Sequence, residues 1–260
     1  MSEIGKTITS AANPAVKRLR SLSAKKYRDE EGVFLVEGLR HVQEALAGGF
    51  TLDTLGYATR AARDVAGFAG KAGDVLELTD DLLSRITQRD NAQAVIGAFK
   101  LKSARISAVK SGFWVGLEGI RDPGNLGTII RTADAVKADG VLLLGDTCDP
   151  WSPEAVRATM GSFARVAVAQ ATLPEFLSWR QDWKGSIIGT HLQTDTDYRK
   201  ADYKLPLLLL MGSESNGLSK DAVAACSSLV KIPMAGGAES LNLAVSTGIM
   251  LYEVCREKLK

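Results

Sequence analysis

Apolar positions in the first hundred residues switch between two periods. In NPAVKRLRSLSAKKYRDEEG, which begins at Asn13, Val16, Leu19 and Leu22 recur at helical spacing with basic residues between them, so a helix opening near Pro14 is predicted. Short apolar runs at 33–36, 51–57, 75–78 and 94–99 read as strands, and residues 39–47 read as a helix between the first two. Residues 1–100 are therefore expected to form a small α/β domain. The following stretch, 101–112, is polar, basic and weakly periodic, and reads as a linker.

A second α/β domain is expected over 113–260. Its apolar runs at 113–117, 141–144, 186–189 and 207–211 are continuous rather than alternating, as in strands buried on both faces, and helical patterns lie between them. That alternation predicts a mostly parallel sheet covered by helices, a design whose ligand sites gather beyond the carboxyl ends of the strands. The polar loops after those ends are the places to look for chemistry. The chain shows no internal repeat and no low-complexity segment.

Composition adds exclusions. The chain is 45% hydrophobic and 24% charged, within the ordinary globular range, and its net charge of +2 does not by itself demand a polyanionic partner. Residues 1–30, however, hold seven Lys or Arg against three acids, an excess that suits a phosphate backbone as well as it suits a solvated basic helix. Cys148, Cys226 and Cys255 have no C-x-x-C spacing, which argues against a disulfide framework or a zinc site and fits a reducing compartment. The first ten residues, MSEIGKTITS, carry no apolar signal core, and no apolar run approaches the roughly 20 residues that span a bilayer. A cytoplasmic location and no membrane role are expected. His41 and His191 are the only histidines, which leaves little material for imidazole acid–base chemistry or for a metal, and none is expected.

Three loops carry the candidate chemistry. The first, GLEGIRDPGNLGTIIRTADAV, leads into a helix whose apolar stripe is Leu126, Ile129, Ile130, Ala133 and Val136; Arg131 points off that stripe, and Asn125 stands where an N-cap belongs. The second, LLLLMGSESNGLSKDAV, is a strand, a loop framed by Gly212 and Gly217, and a helix starting near Ser219. Leu218 and Ser219 stand where a phosphate-binding P-loop needs Lys followed by Ser or Thr, and Glu214 repels a triphosphate, so a nucleotide triphosphatase is excluded. The third, IPMAGGAESLNLAVSTGIMLYE, passes from Gly236 and Gly237 through Glu239, Ser240 and Asn242 into a helix apolar around much of its circumference, which needs cover from the domain or from another subunit. Taken singly, Asn125 is a cap, Arg131 a solvated arginine and Glu214 a loop carboxylate.

Taken together and in this chain order, the three resemble motifs 1, 2 and 3 of the SpoU (TrmH) branch of the SPOUT RNA methyltransferases: GNLGTIIRTADAV, LLMGSESNGLS and IPMAGGAESLNLAVSTGIMLYE. All five polar motif positions hold the residues that the family has there. Upstream, NPAVKRLRSLSAKKYRDEEGVFLVEGLRHVQEAL is similar to the ribosomal-protein-like substrate-binding domain of many such enzymes. The resemblance implies a parallel sheet whose C-terminal part is threaded into a deep trefoil knot, S-adenosylmethionine as methyl donor, no metal, and a homodimer. It implies transfer to a ribose 2′-hydroxyl; the N-terminal domain favours ribosomal RNA as the substrate, and transfer RNA stays open. A Rossmann methyltransferase, by contrast, needs a G-x-G type loop after 113–117, where EGIRDPGNLG stands.

Carried over residue by residue, the resemblance places Arg131, Asn125, Glu214, Ser240 and Asn242 at the reaction centre, with Glu214 and Asn125 orienting Arg131. It places Thr190, Gly212, Ile232 and Leu241 around the donor. Lys17, Arg18, Arg20, Lys25, Lys26 and Arg28 are the candidate RNA contacts. Rival readings are a tRNA ribose methyltransferase, suggested by THLQTDTDYRKADYKLP, a noncatalytic RNA-binding or ribosome-assembly protein, and a small-molecule methyltransferase of the same knotted class. The last leaves the N-terminal domain unexplained.

Overall fold

The computed structural model describes residues 5–259; the first residues of the segment read for a signal core lie outside them. The chain divides into two compact units, residues 1–102 with 151–164, and residues 103–150 with 165–260.

The first unit opens with strand β1 (Lys6–Ile8) and helices α1 (Pro14–Ser21) and α2 (Lys25–Glu31). Then come β2 (Val33–Glu37), α3 (Leu39–Ala47), β3 (Leu52–Ala58), α4 (Ala62–Val65), β4 (Asp74–Leu78), α5 (Asp80–Thr87) and β5 (Val95–Lys100). Helix α1 begins where expected because Pro14 presets its first turn while Asn13 accepts a hydrogen bond from the Ala15 N–H at 2.9 Å. The sheet order is β1-β4-β3-β5-β2, parallel where β4 meets β1 and β3, antiparallel where β5 meets β3 and β2. Val16, Leu19 and Leu22, the stripe seen in the sequence, are buried in the core on this sheet with Leu82, Leu83 and Ile86 of α5.

The second unit contains β6 (Ala104–Arg105), β7 (Phe113–Glu118), α6 (Pro123–Ala135) and β8 (Gly140–Leu144). Between β8 and the next strand, residues 151–164, with helix α7 (Pro153–Ala158), belong to the first unit. The reason is aromatic packing: Trp151 lies 4.6 Å from Phe34 between ring centroids, and Phe163 lies 5.7 Å from Phe34 and 5.8 Å from Phe50. The second unit resumes with β9 (Ala167–Ala171), α8 (Leu173–Asp182), β10 (Ser186–Thr190), β11 (Leu207–Met211), α9 (Lys220–Ala225), β12 (Ser228–Val230) and α10 (Leu243–Val254).

These seven strands form one sheet in the order β12-β10-β11-β7-β8-β9-β6, and every pairing in it is parallel. The four strands expected from continuous apolar runs lie in its centre, with Leu207 to Leu210 fully buried. Three strands escaped sequence reading because they lack such runs: β9 is AVAQA, β12 is the three residues SLV, and β6 is two residues inside the stretch read as a linker. Ile106 and Val109 of that stretch are buried beneath Trp179 and Trp183 in the core of the second unit. Parallel strands leave every loop that follows a carboxyl end on one edge of the sheet, so the neighbours β12, β10, β11 and β7 bring their following loops together.

Candidate active site

The first of these loops leaves β7 at Glu118 and enters α6. Its cap is Asp122, not Asn125: the Asp122 carboxylate accepts from the Asn125 N–H at 2.5 Å, and Pro123 occupies the first helical position. The sequence expectation placed the cap three residues late because both residue types serve at helix starts. Relieved of capping, the Asn125 amide reaches out of the helix and donates to Glu214 Oε1 at 2.6 Å.

Glu214 sits in the loop after β11, which closes on itself. Ser213 N–H donates to the Gly217 carbonyl at 3.1 Å, Gly217 N–H returns to the Ser213 carbonyl at 2.9 Å, and Gly217 takes a φ of 64°. At Gly212 a Cβ would fall 2.1 Å from the Gly217 carbonyl carbon and 2.3 Å from the Leu218 nitrogen, so only glycine fits there. The Glu118 carboxylate anchors the far end of the loop by accepting from Ser219 N–H at 2.8 Å, and Ser219 in turn caps α9. Nothing in the sequence singled out Glu118, whose role depends on β7 and β11 being neighbours.

The third loop ends at Asn242, whose Oδ1 caps α10 by accepting from the Ala244 and Val245 N–H groups at 2.9 and 3.2 Å. Its amide nitrogen donates to Asn125 Oδ1 at 3.1 Å. Glu214 Oε1 lies 3.5 Å from both Asn242 Nδ2 and Leu243 N. Asn125, Glu214 and Asn242, separated by 89 and 28 positions, thus form one hydrogen-bonded cluster.

Beside the cluster lies a cavity of about 500 Å³. Thr190, Gly212, Glu214, Ile232, Ser240 and Leu241 line it, so six of the nine residues carried over from the motifs meet at one cavity. Asn125 and Asn242 reach it through Glu214. Met211 and Leu243 give it apolar surface, and it is also lined by His191, one of the two histidines, and by Lys231, which no sequence signal had singled out. Gly236 and Gly237 face open space. Arg131 is the outlier. It is exposed on α6, does not line the cavity, and its side chain has no hydrogen bond or ion pair among the described residues, so Glu214 and Asn125 engage Asn242 rather than Arg131.

The candidate RNA contacts belong to the first unit and separate into two groups. Lys17, Arg20, Lys25 and Lys26 are exposed on α1 and α2. Arg18 is paired with Glu31 and, at 2.8 Å, with Asp53, and it donates to Thr54 at 3.1 Å. Arg28 is corrected outright: it is 3% exposed, and its Nη1 donates to the carbonyls of Leu22 and Ser23 at 2.6 and 2.8 Å, satisfying the open end of α1. A guanidinium committed to buried carbonyls is not available to a phosphate. Among the described residues, no group of three or more His, Cys, Asp or Glu is placed to hold a metal ion.

Comparison with known proteins places this geometry in context. The model of the SpoU rRNA Methylase family matches residues 112–252, and that of the MRM3-like substrate binding domain matches residues 13–97. The AdoMet-bound rRNA methyltransferase from Sinorhizobium meliloti is 43% identical, with a TM-score of 0.93 over 99% of this chain and 100% of its own. The 23S rRNA (uridine(2479)-2′-O)-methyltransferase of Streptomyces viridochromogenes is 30% identical over 95% of this chain and 94% of its own length. The 23S rRNA (guanosine(2553)-2′-O)-methyltransferase RlmP of Bacillus subtilis strain 168 is 29% identical over 96% and 99%.

Proposed function

The chain belongs to the SpoU rRNA methylase family, and on that premise we propose that it methylates a ribose 2′-hydroxyl of ribosomal RNA with S-adenosylmethionine as donor. The observation that carries the proposal is the meeting of three distant loops: the Asn125–Glu214–Asn242 cluster at the edge of a cavity lined by Thr190, Gly212, Ile232 and Leu241.

The cavity suits the donor by size and lining. Its volume of about 500 Å³ falls in the range of small-molecule sites, and it pairs apolar surface at Ile232, Leu241 and Leu243 with the tightly closed turn at Gly212. When bound, S-adenosylmethionine supplies an electrophilic methyl carbon on a sulfonium sulfur. The chain's own residues then have to align a hydroxyl and stabilise charge. Glu214, fixed by the Asn125 amide, holds Asn242 and the first turn of α10 in register, which sets Ser240 on the cavity wall. Arg131 carries a guanidinium that stays protonated, so its part is to hold a phosphate and stabilise the developing alkoxide, while the hydroxyl proton leaves to water or another acceptor.

The reading includes a homodimer. Supporting it, Val245 and Tyr252 of α10 are 53% and 54% exposed, and α10 packs on α6, the helix that carries Arg131 without a partner. A second copy seated there covers that apolar face beside Arg131, and light scattering that finds only monomer at micromolar concentration refutes this part. It includes the trefoil knot, supported by the family and by β11 lying between β7 and β10; a crystal structure with an unthreaded chain refutes it. A cytoplasmic location completes it, consistent with the absence, among the described residues, of a helix long and apolar enough to cross a membrane; fractionation that recovers the protein outside the cytoplasm refutes it.

The test pairs calorimetry with site mapping. The purified chain is expected to release heat with S-adenosylmethionine and to add one 2′-O-methyl mark to ribosomal RNA from cells lacking the protein. Donor binding with no mark on any RNA refutes the transferase reading, and a mark on transfer RNA alone transfers it to that substrate.

A further inference from the structure

The first unit holds a cavity of its own, about 480 Å³, which the reaction does not use. It lies where the end of β2 (Glu37), the first turn of α3 (His41), and the end of α5 with the two residues after it (Ile86 to Arg89) meet helix α7, which contributes Val156 and Arg157. Leu35, Ile86 and Val156 form apolar walls and are nearly fully buried.

The polar groups are arranged unevenly. The Glu37 side chain is 6% exposed; its Oε1 accepts from the Gln93 N–H at 3.1 Å, but its Oε2 is buried without a hydrogen-bond partner. Folded proteins seldom leave a buried carboxylate oxygen unmatched, and such a group calls for an explanation. Its nearest cation, Arg89 Nη1, stands 3.6 Å away, an ion pair beyond hydrogen-bonding reach, on a side chain that is 47% exposed. Gln88, with a φ of 57°, turns the chain so that Arg89 reaches this wall. The Arg157 side chain has no hydrogen bond or ion pair among the described residues, and His41 is held by donating Nδ1–H to the Glu37 carbonyl at 3.0 Å.

A bare phosphate does not suit this lining, because Glu37 and Glu154 offset Arg89 and Arg157. A whole nucleotide does: it presents N–H donors at one end, an apolar ring face between, and an anion at the other. Single-stranded RNA is read in this way, by unstacked bases hydrogen-bonded along their edges beside arginine planes. Of the four bases, guanine sets two N–H donors side by side, at N1 and the 2-amino group, which an acceptor-only carboxylate receives best.

We infer that this cavity binds one unstacked guanosine nucleotide of the substrate RNA, Glu37 accepting from the base edge while Arg89 and Arg157 hold its phosphate. The inference rests on the RNA-methyltransferase reading for its source of ligand. In the free protein Arg89 covers Glu37 Oε2, and on binding it swings to the phosphate, a rotamer change open to a half-exposed side chain.

The test uses the full chain and fluorescence anisotropy with short single-stranded oligoribonucleotides that carry one guanosine, inosine or adenosine in an otherwise identical context. Guanosine is expected to bind roughly tenfold more tightly than inosine, which lacks the 2-amino donor, in line with one well-formed base contact. Glu37→Gln is expected to erase that preference, and Arg157→Ala to weaken all three oligomers alike and flatten the salt dependence. Equal binding of guanosine and inosine by the unaltered chain overturns the inference without any variant, as does a Glu37→Gln chain that folds and keeps the preference. Free GMP is expected to bind much more weakly than the oligomer, and GMP binding as tight as the oligomer overturns an RNA source. Donor binding, measured in parallel by calorimetry, is expected unchanged in both variants, so a failure here and a failure of the methyltransferase reading are told apart.

Discussion

Gly212 offers the sharpest quantitative test of the site. An alanine Cβ there falls 2.1 Å from the Gly217 carbonyl carbon, 2.3 Å from the Leu218 nitrogen and 2.5 Å from the Gly217 carbonyl oxygen. All three are backbone atoms, so the clash is relieved only by opening the turn that Ser213 and Gly217 close with two hydrogen bonds of 3.1 and 2.9 Å. Losing both costs about 2 kcal/mol at roughly 1 kcal/mol each. If the opened turn must reclose when donor binds, Gly212→Ala weakens S-adenosylmethionine binding by roughly 30-fold and lowers Tm by about 4–8 °C. The control is Gly236→Ala, in the third loop, where an added Cβ meets nothing within 4 Å and neither quantity is expected to move. Calorimetry and thermal denaturation of both variants read the result. Donor affinity within twofold of the parent for Gly212→Ala refutes the claim that this closed turn shapes the cavity.

Arg131→Lys, assayed for methyl transfer against pH, is expected to lower the rate without shifting the pH profile; a shifted profile refutes the purely electrostatic role and makes the guanidinium the proton acceptor. Reversing Lys17 and Arg20 to Glu is expected to weaken RNA binding and to reduce its slope against log salt by about one or more per residue, while donor binding stays unchanged; an unaltered slope removes α1 from the RNA surface. Asp53 in the first unit is half-buried, and the partial desolvation acts to raise its pKa, yet hydrogen bonds from Lys100, Arg18 and Thr54 more than offset this and hold it below its ordinary value of 3.8. Its contribution is therefore fully present above that value and lost as pH falls through the lower, folded one. Asp53→Asn is expected to cost roughly 1–3 kcal/mol near neutral pH and to reduce the loss of stability on acidification, measured by denaturant unfolding at several pH values; an acid limb identical to the parent's refutes this.

Much of the local structure was legible in the sequence. Helix α3 and strand β11 begin and end where their patterns do, because the stripe at 39–47 has helical spacing and the unbroken apolar run at 207–211 has the length of a buried strand, too short for a buried helix. The three loops that carry the candidate chemistry were legible as well, since glycine-framed polar stretches after buried strands mark carboxyl-end loops in a parallel sheet. What periodicity does not encode is which strand lies beside which. The order β12-β10-β11-β7 decides that Asn125, Glu214 and Asn242 touch, that Glu118 anchors a loop 101 residues away, and that Arg131 stays outside the cavity. Tertiary packing also overruled composition at single residues. Asp122 took the cap that Asn125 was expected to supply, and Arg28, one basic residue among several, was drawn inside to satisfy carbonyls left open at the end of α1. Side-chain period reports which face of an element is apolar, a local property. The partner of that face is set by long-range pairing and by the need to satisfy each buried polar group, and those conditions exist only once the chain has folded.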